Sequence, residues 1–310
     1  MNGLRLLKTG GIDILKGCAV ALAGFVGLMV GSMVSRALSL PPVALPAYAN
    51  MALLVPLMLL SEVIMAVLLG ECFQRLYPAY WQRLLGLWLC HYVLYYALNS
   101  LDAFLFTTMT NLGTGFVSNL FPALAAAAVV AWLWRPASGA APQRRTIAEY
   151  FSLRRPADWA WRFAIAWLCF PPIYYLAGRV VAIFTLSYYQ NHGADLGLTL
   201  NLTLGSLMAM QVLRGALFLL AVLPLILAWK GPRTGLWLQV GLVIFVQIAI
   251  QELLQATWLP FLAVRIPHGL ELLVDSFVQA GVYAWMLVPA RVSAAAPEAA
   301  LPARQPQAAQ

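Results

Sequence analysis

Charged side chains are scarce in this sequence. Only 10% of its 310 residues are Asp, Glu, Lys or Arg, whereas a soluble domain carries about 25%. The sequence also lacks a Walker motif, a glycine-rich nucleotide loop, a Gly-x-Ser-x-Gly elbow and a haem signature, which excludes the enzyme and pump classes that depend on them. What the chain has in excess is hydrophobic residues, at 62%.

The hydrophobic residues come in runs of about 20, and a run of that length spans a hydrocarbon core about 30 Å thick. Isolated apolar strands would leave backbone groups unpaired in lipid, so helices are expected. The pattern predicts an all-α, polytopic transmembrane bundle of about eight spans. Their predicted bounds are 16–35, 51–71, 84–106, 116–134, 162–187, 204–228, 235–258 and 269–288.

The distribution of basic residues predicts the topology. Lys and Arg flank alternate loops, while the opposite loops hold only Arg36 and Arg265. By the positive-inside rule this places both termini in the cytoplasm, and the protein in the cell or inner membrane. The net charge of +8 is therefore assigned to topology, and no nucleic-acid partner is expected. The four cysteines fall in the cytoplasmic halves of their spans, a reducing side on which we expect no disulfides.

A weak internal repeat divides the chain. Gly86-Leu-Trp-Leu89 opens span three and the same letters open span seven at 235–238; similar segments close span four (131–137) and span eight (284–290). These echoes favour a parallel four-plus-four duplication about an axis along the membrane normal. The predicted units are a first half at 1–135, a cytoplasmic basic linker at 136–160, a second half at 161–290 and a disordered tail at 291–310.

Polar residues are concentrated in the last two spans. His268, Glu271, Asp275 and Gln279 share one helical face, and Gln247, Gln251 and Gln255 share another, with Glu252 beside it. An ionisable group in hydrocarbon is costly and normally faces the protein interior or a water-filled cavity. We therefore predict a polar pocket in the outer half of the protein, lined mainly by spans five to eight.

Three arginines lie in or next to the second-half spans: Arg179, Arg214 and Arg265. A guanidinium stays charged and must find a carboxylate, a carbonyl, water or an anionic ligand. Glu62, Glu252 and Asp275 are the candidate partners of Arg214. The alternative is that the arginines clamp a phosphate or carboxylate, for example that of a lipid headgroup.

These observations leave three functions open. The first is a carrier or lipid-handling protein for an anionic small molecule or headgroup. The second is an intramembrane metal-dependent hydrolase or headgroup transferase, with His268, Glu271 and Glu252 as catalytic candidates and His268 and Glu271 as metal ligands. The third is an assembly subunit that pairs with helices of a membrane-protein partner. No cofactor is predicted. The predicted binding residues are Arg179, Arg214, Arg265, Gln251, Glu252, Gln255, His268, Glu271 and Asp275.

Overall fold

Helices make up almost all of the described chain. The computed structural model describes residues 3–42, 50–107, 112–136, 146–195, 197–198 and 203–289, and their side chains except those of 3–9, 251 and 252. Within these ranges the only β pairing is an isolated bridge between Thr107 and Leu198. The all-α prediction is therefore confirmed.

The first half contains four long helices. They are α1 (Gly3–Ala37), α2 (Met51–Gln74), α3 (Tyr80–Phe106) and α4 (Leu112–Leu133). Helix α2 starts where the Asn50 side chain accepts a hydrogen bond from the Ala52 N–H, which satisfies one free donor of the first turn. Helix α3 contains a wide π-helical stretch at Tyr92–Ala97.

Helices α1 and α4 approach each other closely because α1 carries glycine at the contact. A Cβ atom on Gly31 would lie 2.0 Å from the Ser118 carbonyl oxygen, and one on Gly27 would lie 2.6 Å from Pro122 Cα. No side chain fits there. The small residues of a Gly-x-x-x-Gly segment thus let two backbones meet, as is common between membrane helices.

The second half begins with the short helix α5 (Ile147–Ser152). Four longer helices follow: α6 (Pro156–His192), α7 (Leu204–Ala228), α8 (Arg233–Gln255) and α9 (Ile266–Leu287). Helix α6 is interrupted at Cys169, just before Pro171 and Pro172, because proline lacks the donor that a helix interior needs. Helix α8 ends in a π-helical turn at Gln251–Gln255.

The helices identify an integral, multi-pass membrane protein. Among the described residues, seven helices are long and apolar enough to cross a membrane, namely all except α5 and α9. Large apolar side chains such as Leu22, Met33, Ile183 and Phe184 are exposed on their outer surfaces, where lipid would cover them. The eighth predicted span, 269–288, corresponds to α9, a 22-residue helix that is not among the seven, so its crossing stays a prediction.

Helix α9 packs along α8. The Trp237 Nε1–H donates to the Phe277 carbonyl at 2.7 Å, Gly241 lies against the Phe277 ring, and Gly269 lies against Leu253. These contacts run from one end of the pair to the other, so the two helices are neighbours along their length. The polar face of α9 is turned elsewhere, toward α6 and α7.

The packing of the two halves follows the same scheme. In the first, α1 contacts α2 and α4, and α3 contacts α4; in the second, α6 contacts α7 and α9, and α8 contacts α9. Helices α3 and α8 meet, and each also contacts the second long helix of the other half. This arrangement resembles a parallel two-fold relation, although the duplication itself stays a prediction.

The described part of the predicted linker, 146–160, is helical. Thr146 and Glu149 form a capping box at the start of α5. The Tyr150 side chain is fully buried and its hydroxyl donates to the Leu287 carbonyl at 2.7 Å, at the end of α9. This segment is therefore docked on the bundle through Tyr150, and the cytoplasmic basic linker at 136–160 stays a prediction. Residues 137–145 and the predicted disordered tail at 291–310 lie outside the described residues.

Candidate functional site

A cavity of about 510 Å³ lies between α3, α6, α7, α8 and α9. Its wall combines aromatic and charged side chains. The aromatic ones are Phe106, Phe170, Tyr174, Tyr189, Phe218 and Trp258; the charged or titratable ones are Asp102, Arg214, His268, Glu271 and Asp275. The structure thus brings Arg214, His268, Glu271 and Asp275 of the predicted binding set to one place. Their role in binding a substrate stays a prediction.

Helix α9 contributes two acidic groups because Glu271 and Asp275 are one turn apart and face the same side. Both side chains are buried, with Glu271 8% and Asp275 3% exposed. The Nδ1 of His268, at the start of α9, lies 2.9 Å from Glu271 Oε2, and its Nε2 lies 2.8 Å from the Tyr189 hydroxyl of α6. An ionised carboxylate only accepts hydrogen bonds, so His268 then donates through Nδ1.

Arg214 lies in the middle of α7 and is only 6% exposed. Its Nη2 is 2.9 Å from Asp102 Oδ2 on α3, and its Nη1 donates to Gln211 Oε1 at 3.0 Å. The sequence prediction named Glu62, Glu252 and Asp275 as candidate partners and missed Asp102; Asp275 borders the same cavity, and the side chain of Glu252 lies outside the described residues. Asp102 was missed because α3 and α7 belong to different halves and meet only in the folded bundle.

The guanidinium of Arg214 is also enclosed by aromatic rings. Its Cζ lies 5.3 Å from the centre of the Phe170 ring, 5.4 Å from that of Tyr174 and 6.0 Å from that of Phe218. These distances are within cation–π range. Arg214 is therefore matched in charge and held in place by the protein itself.

Arg179 and Arg265 do not border the cavity. Gly178 faces Glu271, and the next residue of an α-helix is turned by about 100°. Arg179 is accordingly exposed, and its Nε donates to the Tyr175 hydroxyl at 3.1 Å. Arg265 donates through Nη1 to the Leu253 carbonyl at 3.0 Å. The predicted three-arginine clamp is not assembled in this structure.

The remaining predicted binding residues are Gln251, Glu252 and Gln255. Gln255 is buried, donates to the Tyr95 hydroxyl at 2.5 Å, and borders a different cavity in the first half. The side chains of Gln251 and Glu252 lie outside the described residues. Sequence reasoning missed Asp102 as a member of the site. A useful signal was present, because Asp102 is the one carboxylate of predicted span three, and such a group needs a partner.

Several polar atoms of the cavity wall are unsatisfied. Within the described part of the chain, Asp102 Oδ1, Asp275 Oδ1, Gln279 Oε1 and Arg214 Nε are buried without a hydrogen-bond partner. Buried polar groups are nearly always paired in folded proteins. Most of these atoms are acceptors, so the arrangement favours a ligand that brings hydrogen-bond donors.

The charges around the cavity are mainly negative. Asp102, Glu271 and Asp275 face Arg214 and His268, and no other basic residue borders the cavity among the residues described. When the carboxylates are ionised, one negative charge remains even with His268 protonated. Such an excess interacts more strongly in a low-dielectric interior than in water. The site can therefore hold a cationic group or take up protons.

The predicted metal ligands, His268 and Glu271, are hydrogen-bonded to each other. Over the described ranges, no group of three or more His, Cys, Asp or Glu side chains is arranged to hold a metal ion. A catalytic zinc usually takes three protein ligands. The metal hypothesis thus has two candidate ligands among these residues and lacks a third.

Known proteins give no further assignment. No family model, curated protein or solved structure matches this chain. The cavity and its side chains are therefore the basis for assigning a function.

Proposed function

We propose that this protein is a membrane carrier that binds an amphipathic organic cation in the cavity beside α9. The observation that carries the proposal is the charge balance of the wall. Arg214 is already paired with Asp102, and His268 is the one further basic residue that borders the cavity with the buried carboxyl groups of Glu271 and Asp275, among the described residues. A positive ligand group supplies the missing charge.

The rest of the wall fits the apolar part of such a ligand. Besides the three rings around Arg214, the aromatic side chains of Phe106, Tyr189 and Trp258 line the cavity, and aromatic faces attract ammonium groups as well as apolar bodies. The volume of about 510 Å³ lies within the range of about 300–1,000 Å³ typical of small-molecule sites. A ligand with one ammonium group and a hydrophobic body matches both features.

A carrier also needs a stable state without its substrate. Glu271 and Asp275 can each bind a proton, and carboxyl groups buried at membrane depth commonly serve in proton relays. Release of protons on binding of the cation, and their uptake afterwards, would make the protein a proton–cation exchanger. Under the predicted topology, with both termini cytoplasmic, the cavity lies in the outer half.

The expectation of an anionic substrate is less well supported. It relied on Arg214, Arg179 and Arg265 as free cations, and these three groups are engaged with Asp102, Tyr175 and Leu253 respectively. The hydrolase or transferase and the assembly subunit stay predictions without a supporting contact among the described residues. Binding of an anionic ligand is the alternative outcome of the experiment with two probes.

Two probes of the same shape and opposite charge test the proposal. Equilibrium binding of tetraphenylphosphonium and tetraphenylborate to the purified protein compares a cation with an anion directly. We expect tetraphenylphosphonium to bind, and Asp275→Asn and Glu271→Gln each to weaken it by about tenfold or more, a loss of roughly 1.4 kcal/mol. Asp13→Asn on α1, outside the cavity and paired with Lys16, is the control and should bind normally.

A preference for tetraphenylborate, or unchanged binding in Asp275→Asn, would contradict the proposal. Transport is tested separately in proteoliposomes with an imposed pH gradient. Uptake in excess of that into protein-free liposomes, which tetraphenylphosphonium enters unaided, should depend on the gradient and be lost in Asp275→Asn. Binding without uptake would show a receptor or lipid-handling role instead of a carrier.

A further inference from the structure

The first half holds a second cavity, of about 240 Å³, which the proposed function does not use. Helices α1 to α4 form most of its wall, and Gln255 reaches it from α8. The side chain of Glu62 on α2 borders this cavity and is only 4% exposed. A carboxylate so deep in a membrane bundle needs a compensating group.

The immediate neighbours of Glu62 compensate the negative charge of its carboxylate only in part. The Tyr96 hydroxyl donates to Oε1 at 2.8 Å. The Nε2 of His91 is 3.5 Å from Oε2, which is longer than a normal N–H···O bond. On the opposite side, α1 presents Gly24, which has no side chain to offer. The carboxylate thus keeps acceptor capacity toward the cavity.

The amide side chains around the cavity expose acceptors as well. Asn99 donates through Nδ2 to the Tyr95 carbonyl, Asn119 donates to Ser100 Oγ at 3.3 Å, and Gln255 donates to the Tyr95 hydroxyl. An amide has two N–H donors and one acceptor oxygen; each of these three uses one donor on the protein, and its oxygen is the group that can bind a cation. The wall is therefore rich in oxygen acceptors and contains one carboxylate.

We propose that this cavity binds a small monovalent cation, with Glu62 as its charged ligand, and we assign Na⁺ as the ion to be tested. Hard cations prefer carboxylate, carbonyl and water oxygens, which are the groups that the wall provides. One carboxylate balances one positive charge, whereas a divalent ion would leave an excess charge in a low-dielectric region. The inference does not depend on the proposed carrier function.

His91 makes the site sensitive to pH. Its Nδ1 lies 2.9 Å from Gln247 Oε1 on α8, and Nε2 faces Glu62. A proton on Nε2 gives Glu62 an ion-pair partner and competes with Na⁺ for the same carboxylate. The titratable and polar groups around this pair, among the described residues, are Tyr95, Tyr96, Asn99 and Ser100 from α3, Asn119 from α4, and Gln247 and Gln255 from α8.

The two cavities share part of α3, since Asn99 and Ala103 border both. The π-helical stretch Tyr92–Ala97 directly precedes these residues, and such stretches occur frequently at functional sites. An ion at Glu62 is thus placed to influence the larger cavity through one helix. If both proposals hold, Na⁺ should change the affinity for the organic cation.

Direct binding of radiolabelled Na⁺ to the purified full-length protein tests the site, with N-methyl-D-glucamine chloride, whose cation has no hydrophobic body, keeping the ionic strength constant. At about pH 8 we expect saturable binding and an increase in Tm with Na⁺. Glu62→Gln should abolish both effects. Glu71→Gln, on the same helix but exposed and paired with Arg75, should leave both unchanged. Equal Tm values in Na⁺ and N-methyl-D-glucamine, or Na⁺ binding retained in Glu62→Gln, would overturn the proposal.

The pH dependence of the wild-type protein gives an independent check that needs no mutant to fold. At pH values low enough to protonate His91, one competing proton weakens the apparent affinity for Na⁺ by up to about tenfold for each further pH unit of acidification. His91→Gln should make the affinity independent of pH across this range. A Na⁺ affinity that is constant with pH in the wild-type protein would contradict competition between Na⁺ and the His91 proton. Tetraphenylphosphonium binding to the other cavity is measured separately, so either proposal can fail alone.

Discussion

Replacing Asp102 by Asn removes the charge partner of Arg214 and leaves a guanidinium enclosed by Phe170, Tyr174 and Phe218. Loss of one member of a buried pair costs about 3–5 kcal/mol, because the other charge stays buried without compensation. The Asp102 side chain is 31% exposed, against 7% for Arg214, so the pair is less completely enclosed than a fully buried one. We therefore expect a loss near the lower end of that range, about 3 kcal/mol in the free energy of unfolding.

The double variant Asp102→Asn with Arg214→Gln distinguishes charge pairing from packing. It contains no unpaired charge at this position, so it should be more stable than Asp102→Asn alone. Contacting charged residues show interaction free energies of about 0.5–3 kcal/mol in such cycles, and the enclosure of Arg214 places this pair toward the upper end. Because the two residues belong to different halves of the bundle, the pair also fixes how α3 meets α7.

The assay is unfolding of the detergent-solubilised protein by a denaturing detergent, followed by tryptophan fluorescence and circular dichroism. Glu71→Gln, which breaks an exposed pair with Arg75, is the control and should cost no more than about 1 kcal/mol. The reasoning would be refuted if Asp102→Asn cost less than the control, or if the effects of the two single substitutions simply added in the double variant.

Three further predictions concern packing and topology. Gly31→Ala should destabilise the protein by about 1–3 kcal/mol because its new Cβ would overlap a backbone carbonyl of α4, whereas Gly10→Ala, with open space around it, should be neutral or slightly stabilising in the same unfolding assay. Tyr150→Phe should cost about 1 kcal/mol through the lost hydrogen bond to the Leu287 carbonyl, and limited proteolysis should then cut near α5 faster. Reporter fusions at 193 and 263 should report the non-cytoplasmic side, and fusions at 143 and 300 should report the cytoplasm. A reversed pattern would refute the positive-inside assignment.

Helical periodicity was sufficient to predict the polar face of α9. His268, Glu271 and Asp275 recur at intervals of three and four residues, so any helix through them must put them on one side. The structure places all three at one cavity. Periodicity says nothing about which neighbour that face meets, and the proximity of Tyr189 to His268 came only from the packing of α6 against α9.

The arginines show the limit of sequence reasoning most clearly. Arg179 and Arg214 have the same chemistry and both lie in apolar runs, yet one is exposed beside Tyr175 and the other is buried against Asp102. The side-chain direction rotates by about 100° per residue along a helix, so a shift of one residue decides between these outcomes. The sequence carries no information on helix rotation within the bundle for an isolated charge, since one residue does not define a face.

The sequence by itself determined that the chain is a helical membrane protein, because a low charge content and apolar runs of bilayer length permit no other backbone that satisfies its hydrogen bonds in lipid. It also determined that some charges must be internal. Only the tertiary structure decided which charges meet, because Arg214 pairs with Asp102, and Glu62 with His91 and Tyr96, each across two different helices. Contacts between helices depend on rotation and depth in the bundle, which are properties of the packed assembly.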